Sequence, residues 1–240
     1  MPRRELARKR QLVGLGLLGL LVVAGLAWGA TYTALFGADE IRVEGSDRVE
    51  ADEVGAIAGL ERGVNVFHLD TAAAEAALEA DARISDATVT RELPNVVVVT
   101  IRERLPVAAT LVDGAPTVVA EDGTFLPGPT PRVLPEIQVA AGELGEDDLA
   151  STARALAALP PSLRRLVDVA IVGLAGDLSF TLRDGPSVRY GLPVDVGSKA
   201  QSLEAVLDWA AAKRIDLTSI DITVPGAPSA RTAGGTVTPG

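Results

Sequence analysis

The chain has 240 residues, a formal charge of −10 and no cysteine. An acidic exterior repels phosphate backbones, so this charge disfavours nucleic acid as a partner. The lack of cysteine excludes disulfides, zinc–thiolate sites and thiol chemistry. The length allows an anchor plus one or two modest domains, which must be stabilised by buried cores.

An uncharged stretch near the amino end predicts a membrane anchor. Residues 12–35 contain no charged side chain, whereas the preceding tip, 1–11, is basic and Asp39 and Glu40 follow. About 20 apolar residues span a hydrocarbon core, and basic flanks stay in the cytoplasm. We therefore expect a transmembrane helix over 12–36, a cytoplasmic tip and an extracytoplasmic remainder. A cleaved signal peptide is the alternative, although its apolar region usually runs for only about 7–15 residues.

Two glycines inside this stretch are candidates for helix pairing. Gly25 and Gly29 have the small-xxx-small spacing that lets two membrane helices approach closely. The alternative is that glycine is simply common in membrane helices. The spacing therefore indicates pairing with a second copy or with a partner helix only as a hypothesis.

The next segment predicts a small domain over 37–106. Alternating apolar and charged residues over 41–44 indicate a short strand, and two helical periods follow. Asp70 is placed to cap the second helix. After a second alternating strand, a turn at 94–95 leads into the strongly β-prone run 96–101. The predicted order is strand, helix, helix, strand, strand.

A mixed α+β domain with an antiparallel sheet is predicted over 107–225. Aspartate–glycine pairs mark tight turns, and alternating runs mark strands. The composition after residue 225 is that of a disordered tail, 226–240. The predicted elements are a hairpin around 122–123, helices over 146–159 and 198–214, and strands over 167–171, 178–182 and 220–224.

Several short motifs follow one another along the chain. They are Val43-Glu44-Gly45, Gly63-x-Asn65-x-Phe67-x-Leu69-Asp70, Arg91-x-x-Pro94, Glu103-Arg104-x-Pro106-Val107, Gly191-x-Pro193 and the run 220–225. In this order, after a basic start and one anchor, they resemble the FtsQ/DivIB family of bacterial cell-division proteins. Ala82 departs from the proline that the family often has there. The abundance of arginine and alanine indicates genomic base bias, and with the resemblance it points to a high-G+C actinobacterium.

The resemblance implies a fold and a role. The fold is a polypeptide-transport-associated (POTRA) domain followed by a β domain. The role is that of a non-enzymatic, single-pass protein of the cell membrane that recruits and links division proteins at the septum. Its β domain would contact an FtsB/FtsL-type complex.

Two other classes of function are kept open. POTRA modules also occur in outer-membrane translocation machines, so a component of a protein-transport or envelope-assembly system is the alternative. A membrane-tethered hydrolase is disfavoured, because the sequence contains no visible set of nucleophile, base and orienting residue.

The candidate partner-binding residues lie near the carboxyl end. If 220–224 is an edge strand, its free backbone groups can pair with a strand of another protein. The alternative is an ordinary closing strand, blunted by Asp221 and Pro225. The candidates are Tyr190, Ile220, Asp221, Ile222, Thr223 and Val224.

No catalytic, cofactor, metal or small-molecule site is predicted. His68 is the sole histidine and has no cysteine near it, so packing before the second helix of the small domain is expected. Ser198 and Lys199 are neighbours on a helix and point about 100° apart, not toward each other. The alternative to a catalytic pair is a helix start. The acidic run 146–148 suits a solvated first helical turn.

Replacement of Gly25 and Gly29 by leucine tests the pairing hypothesis. If these residues pair, the bulky side chains keep the two backbones apart, and the dimer signal in a membrane two-hybrid assay is lost. An unchanged signal removes the pairing role.

Overall fold

The computed structural model describes residues 2–33, 36–131 and 133–237, with side chains from Gly14 onward. The described chain divides between Glu103 and Arg104 into two compact units. This boundary lies close to the one predicted at 106–107. We call them the first and the second unit.

The first unit opens with helix α1, Pro2–Ala30. Within the described part of the chain, no helix has both the length and the apolar character needed to cross a membrane. The predicted anchor, 12–36, includes residues 34–35 and the side chains of 12–13, which lie outside the described residues. The anchor and its orientation therefore stay predictions.

The rest of the first unit has the order predicted from the sequence. Strands β1 and β2 both pair with β3, β1 in the parallel and β2 in the antiparallel direction. The Asp70 side chain accepts a hydrogen bond from the Ala73 N–H at 3.1 Å, which confirms the predicted helix cap. The elements are β1 Glu40–Glu44, α2 Ala51–Ile57, α3 Thr71–Glu79, β2 Ile84–Glu92 and β3 Val96–Glu103.

Glu103, at the end of β3, holds the loop between β1 and α2. Its Oε1 accepts hydrogen bonds from the backbone N–H groups of Asp47, Arg48 and Val49 at 2.9, 2.8 and 2.9 Å. Its Oε2 accepts one from Arg48 Nε at 2.9 Å. Burial tends to raise the pKa of this carboxyl, but the hydrogen bonds outweigh burial and lower the pKa to about 2.

Gly45 makes the tight turn that leads into this loop. Its φ is +78°, and a Cβ at this position would overlap the backbone carbonyl oxygen of Ile101. Gly45 and Glu103 thus both stabilise the loop between β1 and α2: Gly45 forms the turn at its start, and Glu103 binds its backbone N–H groups. Two of the motifs seen in the sequence therefore have a structural role.

The second unit is built on one mixed sheet, called the large sheet. In the part of the chain that the structure describes, its strand order is β13-β12-β11-β10-β9-β8-β7-β4-β5-β6. The strands are β4 Pro106–Val112, β5 Ala115–Ala120, β6 Phe125–Leu126, β7 Glu136–Val139, β8 Val167–Val172, β9 Leu178–Leu182, β10 Ser187–Gly191, β11 Ser219–Asp221, β12 Ser229–Thr232 and β13 Gly235–Val237.

The sequence predicted an antiparallel sheet, but the large sheet contains both parallel and antiparallel pairs. The pairs β4–β7, β7–β8 and β10–β11 are parallel. Helical connections cause two of these pairs, because a helix between two strands returns the chain to the same end of the sheet. Helices α4 (Glu146–Ala158) and α5 (Pro161–Arg164) connect β7 to β8, and α6 (Val196–Lys213) connects β10 to β11.

The core of the second unit lies between the large sheet and its helices. Helix α4, which falls within the predicted helix 146–159, buries Leu149, Ala153 and Leu156 along one face. These side chains belong to one apolar cluster with Leu203 of α6 and with Phe180 of β9. The predicted hairpin around 122–123 is confirmed by the antiparallel pair β5–β6.

The carboxyl end differs from the expectation of a disordered tail. Residues 226–240 contain β12 and β13, which form a hairpin on β11. Small polar residues dominate this segment, but Ala230 is buried and its strand completes a ladder that β11 would otherwise leave open. Residues 238–240 lie outside the described residues.

Replacement of Glu103 by glutamine is expected to weaken the first unit. The loss of charge weakens three backbone hydrogen bonds, so the local free energy of opening falls by about 2–3 kcal/mol, measured by hydrogen exchange of the full chain. Because the folded pKa lies below the ordinary 4.5, this stabilisation is complete above about pH 4.5 and is lost as the pH falls towards 2.

The matched control is Glu44→Gln, which removes an exposed carboxylate of the same unit. Equal exchange rates in the two variants would contradict the role of Glu103.

Candidate functional site

The predicted partner-binding residues fall at the β10–β13 end of the large sheet. Strand β11 lies between β10 and β12, so the run 220–224 is not the edge of the sheet. The edge is β13. Residues 222–224 continue past β11 into a loop.

Three of the six candidates have buried side chains. Tyr190, Ile220 and Ile222 are 0%, 1% and 0% exposed. The Tyr190 ring lies 4.9 Å from that of Phe180, and burial raises its pKa to about 12. Because these side chains lie in the core, they offer no exposed side-chain surface, and a partner-binding role at these positions stays a prediction.

The other three candidates are wholly or partly exposed. Asp221 accepts hydrogen bonds from the Thr223 N–H at 2.9 Å and from its hydroxyl at 2.5 Å. Burial tends to raise the pKa of Asp221, but these bonds and the nearby Arg189 and Arg231 guanidiniums hold it below its usual range. Val224 is 60% exposed. The loop after β11 is therefore fixed and presents an apolar side chain to solvent.

A buried lysine, which sequence reasoning placed only at a helix start, organises this end of the sheet. Lys199 is 1% exposed. Its Nζ donates to the carbonyl oxygens of Tyr190 and Leu192 at 2.8 and 2.7 Å. Burial lowers the pKa of this ammonium. Lys199 thereby joins α6 to the end of β10.

Close backbone contact completes the arrangement. Gly191 has φ +75°, and a Cβ there would approach Thr223 Cγ2 to 2.8 Å. The signal for this role was present in the motif Gly191-x-Pro193 followed by Lys199. The structural role of this motif could not be predicted, because the sequence does not reveal that β10 and β11 are neighbours.

Strand β13 presents open backbone groups. The Thr218 N–H donates to the Arg231 carbonyl at 2.8 Å, so the backbone groups of Arg231 point towards β11. Arg231 pairs with Thr236 of β13. Backbone groups alternate in direction along a strand, so Thr236 directs its N–H and C=O away from β12. This is the edge at which another strand can add.

The remaining residues singled out in the sequence lie in the first unit. His68 Nε2 lies 2.9 Å from Thr31 Oγ1. The His68 ring stacks on the Tyr32 ring, with 4.0 Å between the ring centroids. These contacts agree with the interpretation that His68 is a packing residue. A Cβ added at Gly25 or Gly29 would meet no atom within 4 Å, so their pairing role stays a prediction. Among the described residues, no group of three or more metal-ligating side chains is arranged to hold an ion.

Comparison with known families defines the class of the protein. Residues 36–104 match the family model described as "POTRA domain, FtsQ-type". The match covers the strands and helices of the first unit that follow α1. Residues 36–104 are therefore similar to an FtsQ-type POTRA domain, and the second unit, built on the large sheet, follows them.

Similarity to whole proteins extends beyond this domain. The cell division protein FtsQ of Mycobacteroides abscessus is 29% identical over 188 residues, which are 78% of this chain and 61% of that protein. FtsQ of Streptomyces collinus is 28% identical over 236 residues, 92% of this chain and 88% of that protein. These similarities support membership of the FtsQ/DivIB family. The chain spans less than two thirds of the Mycobacteroides relative.

Among solved structures, the chain is similar to the major extracytoplasmic domain of the cell division protein DivIB from Geobacillus stearothermophilus. The TM-score is 0.35 at 19% identity, over 46% of this chain and 93% of that chain.

Replacement of Lys199 by methionine is expected to destabilise the second unit. The apolar side chain leaves the carbonyls of Tyr190 and Leu192 without their donor, at a cost of about 2–3 kcal/mol in the free energy of unfolding. Denaturant unfolding of the full chain measures this loss. The control is Lys213→Met in the last turn of the same helix, where the lysine is exposed. Equal stability of the two variants would rule out the role assigned to Lys199.

Proposed function

We propose that the protein is a non-enzymatic scaffold of the division machinery, which recruits and links division proteins at the septum. Its partner at the large sheet would be an FtsB/FtsL-type complex. Family membership and the names of the relatives, cell division protein FtsQ, support a role in division. The observation that carries the proposal is the open backbone edge at β13.

An open edge suits a protein that works by docking. A partner strand gains affinity from backbone hydrogen bonds and specificity from alternate side chains. Many edge strands are protected by charged residues or proline. Strand β13, Gly235–Val237, contains neither, so its edge can accept a strand.

Exposed apolar side chains offer further contact area at this end of the sheet. Leu192 and Val194 follow β10 and are 53% and 57% exposed, and Val224 follows β11. The close approach of Gly191 to Thr223 brings these two segments together. In the proposed complex, the partner contacts Val224 and the exposed side of the loop 222–224, whereas the sequence had predicted contacts along the whole run 220–224.

The proposed scaffold is held at the cell membrane by one helix over 12–36, with the amino terminus in the cytoplasm and residues 37–240 outside. Such an anchor confines partners to one plane and raises their effective concentration. The aromatic cluster at the end of α1 supports this placement. Trp28 and Tyr32 lie beside His68, and tryptophan and tyrosine are enriched where membrane helices meet water.

Replacement of Thr236 by proline tests docking at β13. Proline removes the outward N–H but none of the bonds between β12 and β13, so the sheet stays intact while a partner strand loses a donor. We expect copurification with the FtsB/FtsL-type complex to fall about tenfold or more. Thr236→Ala, which keeps the N–H, should copurify normally.

Far-ultraviolet circular dichroism and a melting curve of the Thr236→Pro variant establish that it is folded. If the folded proline variant copurifies as well as the alanine variant, docking at β13 is wrong.

A further inference from the structure

A cleft divides the large sheet at a point remote from β13. Strands β4 and β7 are joined by one registered pair, Ala109–Glu136. Beyond it, β4 stays paired with β5 as far as Val112, and β7 stays paired with β8 as far as Val139. The two strands therefore separate like a fork while each keeps its outer neighbour. A cavity of about 1150 Å³ lies in the gap.

The fork begins where a side chain replaces the backbone ladder. The Ala109 N–H donates to the Pro135 carbonyl at 2.9 Å. One step further, the Ile137 carbonyl accepts from the Thr110 hydroxyl at 3.0 Å. A side-chain bond at this position holds the strands further apart than a backbone bond does, so the ladder cannot continue.

Open backbone groups face the cleft from both sides. Backbone N–H and C=O groups alternate in direction along a strand. Those of Leu111 in β4 therefore point to the same side as those of Ala109, towards β7. Those of Val139 in β7 point to the same side as those of Ile137, towards β4. Within the described residues, neither has a register partner across the gap. The two strands thus present donors and acceptors of the kind that pair with an extended chain.

The surroundings of the cleft define the chemistry of its occupant. Its apolar floor includes Leu111 and Phe125, which are 59% and 44% exposed. Of the described residues that line it, none is lysine or arginine. The carboxylates around it belong to Asp113, Asp122, Glu136, Glu143, Glu146 and Asp147. Arg104 pairs with Asp122 at 2.7 Å, so the charge available to a ligand comes mainly from the other side chains.

We propose that this cleft binds an extended segment of a partner protein in which basic and apolar residues alternate. The backbone of the segment pairs with Leu111 and Val139, its apolar side chains cover the floor, and its basic side chains meet the carboxylates. Because β8 to β12 separate the cleft from β13, this site is independent of the docking proposed there.

The test titrates the full chain with a fluorescent synthetic hexapeptide of alternating arginine and valine. Binding should weaken about tenfold in the double variant Glu143→Gln/Asp147→Asn, because two attractive charges are lost. The control is Asp208→Asn/Asp216→Asn, which changes the net charge equally at exposed positions outside the cleft. Hydrogen exchange should show protection of the Leu111 and Val139 amides by the peptide.

Two further peptides separate strand pairing from simple attraction. A glutamate–valine hexapeptide should not bind, and an arginine–valine hexapeptide with N-methylated alternate amides should bind at least about tenfold more weakly than its parent. The proposal is overturned if the parent peptide does not bind at millimolar concentration or if both double variants weaken binding equally. It is also overturned if the methylated peptide binds as tightly as the parent.

Discussion

An open β-sheet cannot satisfy the backbone groups of its outermost strand from within. Besides the two-residue strand β6 at one end of the large sheet, two places in this sheet leave backbone groups unpaired. At β13 the ladder ends on a short strand without charge or proline, and between β4 and β7 it is interrupted inside the sheet. Each unpaired stretch costs little while water reaches it, and each can be covered by a strand from another protein. A protein that carries two such stretches on one rigid sheet is suited to hold two partners at a fixed separation.

Two charged side chains stabilise loops whose backbone groups the strand ladders leave unpaired. Glu103 binds the three successive N–H groups of residues 47–49, and Lys199 binds the two carbonyls at the end of β10. In both cases one charged group replaces several backbone partners, and close-packed glycines, Gly45 and Gly191, let the chain reach it. These polar contacts fix local geometry that apolar packing does not specify.

The sequence predicted those strands and helices whose apolar residues follow a regular period within the element itself. Alternation found β1, β8 and β9, and the helical period with an acidic first turn found α4. Strand β4 was missed because four successive residues, 107–110, are buried, which hides the period of two. Strands β12 and β13 were missed because their composition resembles disorder, and only pairing with β11 orders them. The burial of Tyr190 likewise follows from the central position of β10, which depends on contacts distant in sequence.

The proposed role of this chain is docking, through its two units, at the site of division. The most direct measurement is imaging of a fluorescent fusion of the full chain in dividing cells, beside a fusion truncated after Phe36. We expect a midcell band for the full chain and its loss on truncation. Uniform envelope staining of the full chain would contradict the central claim.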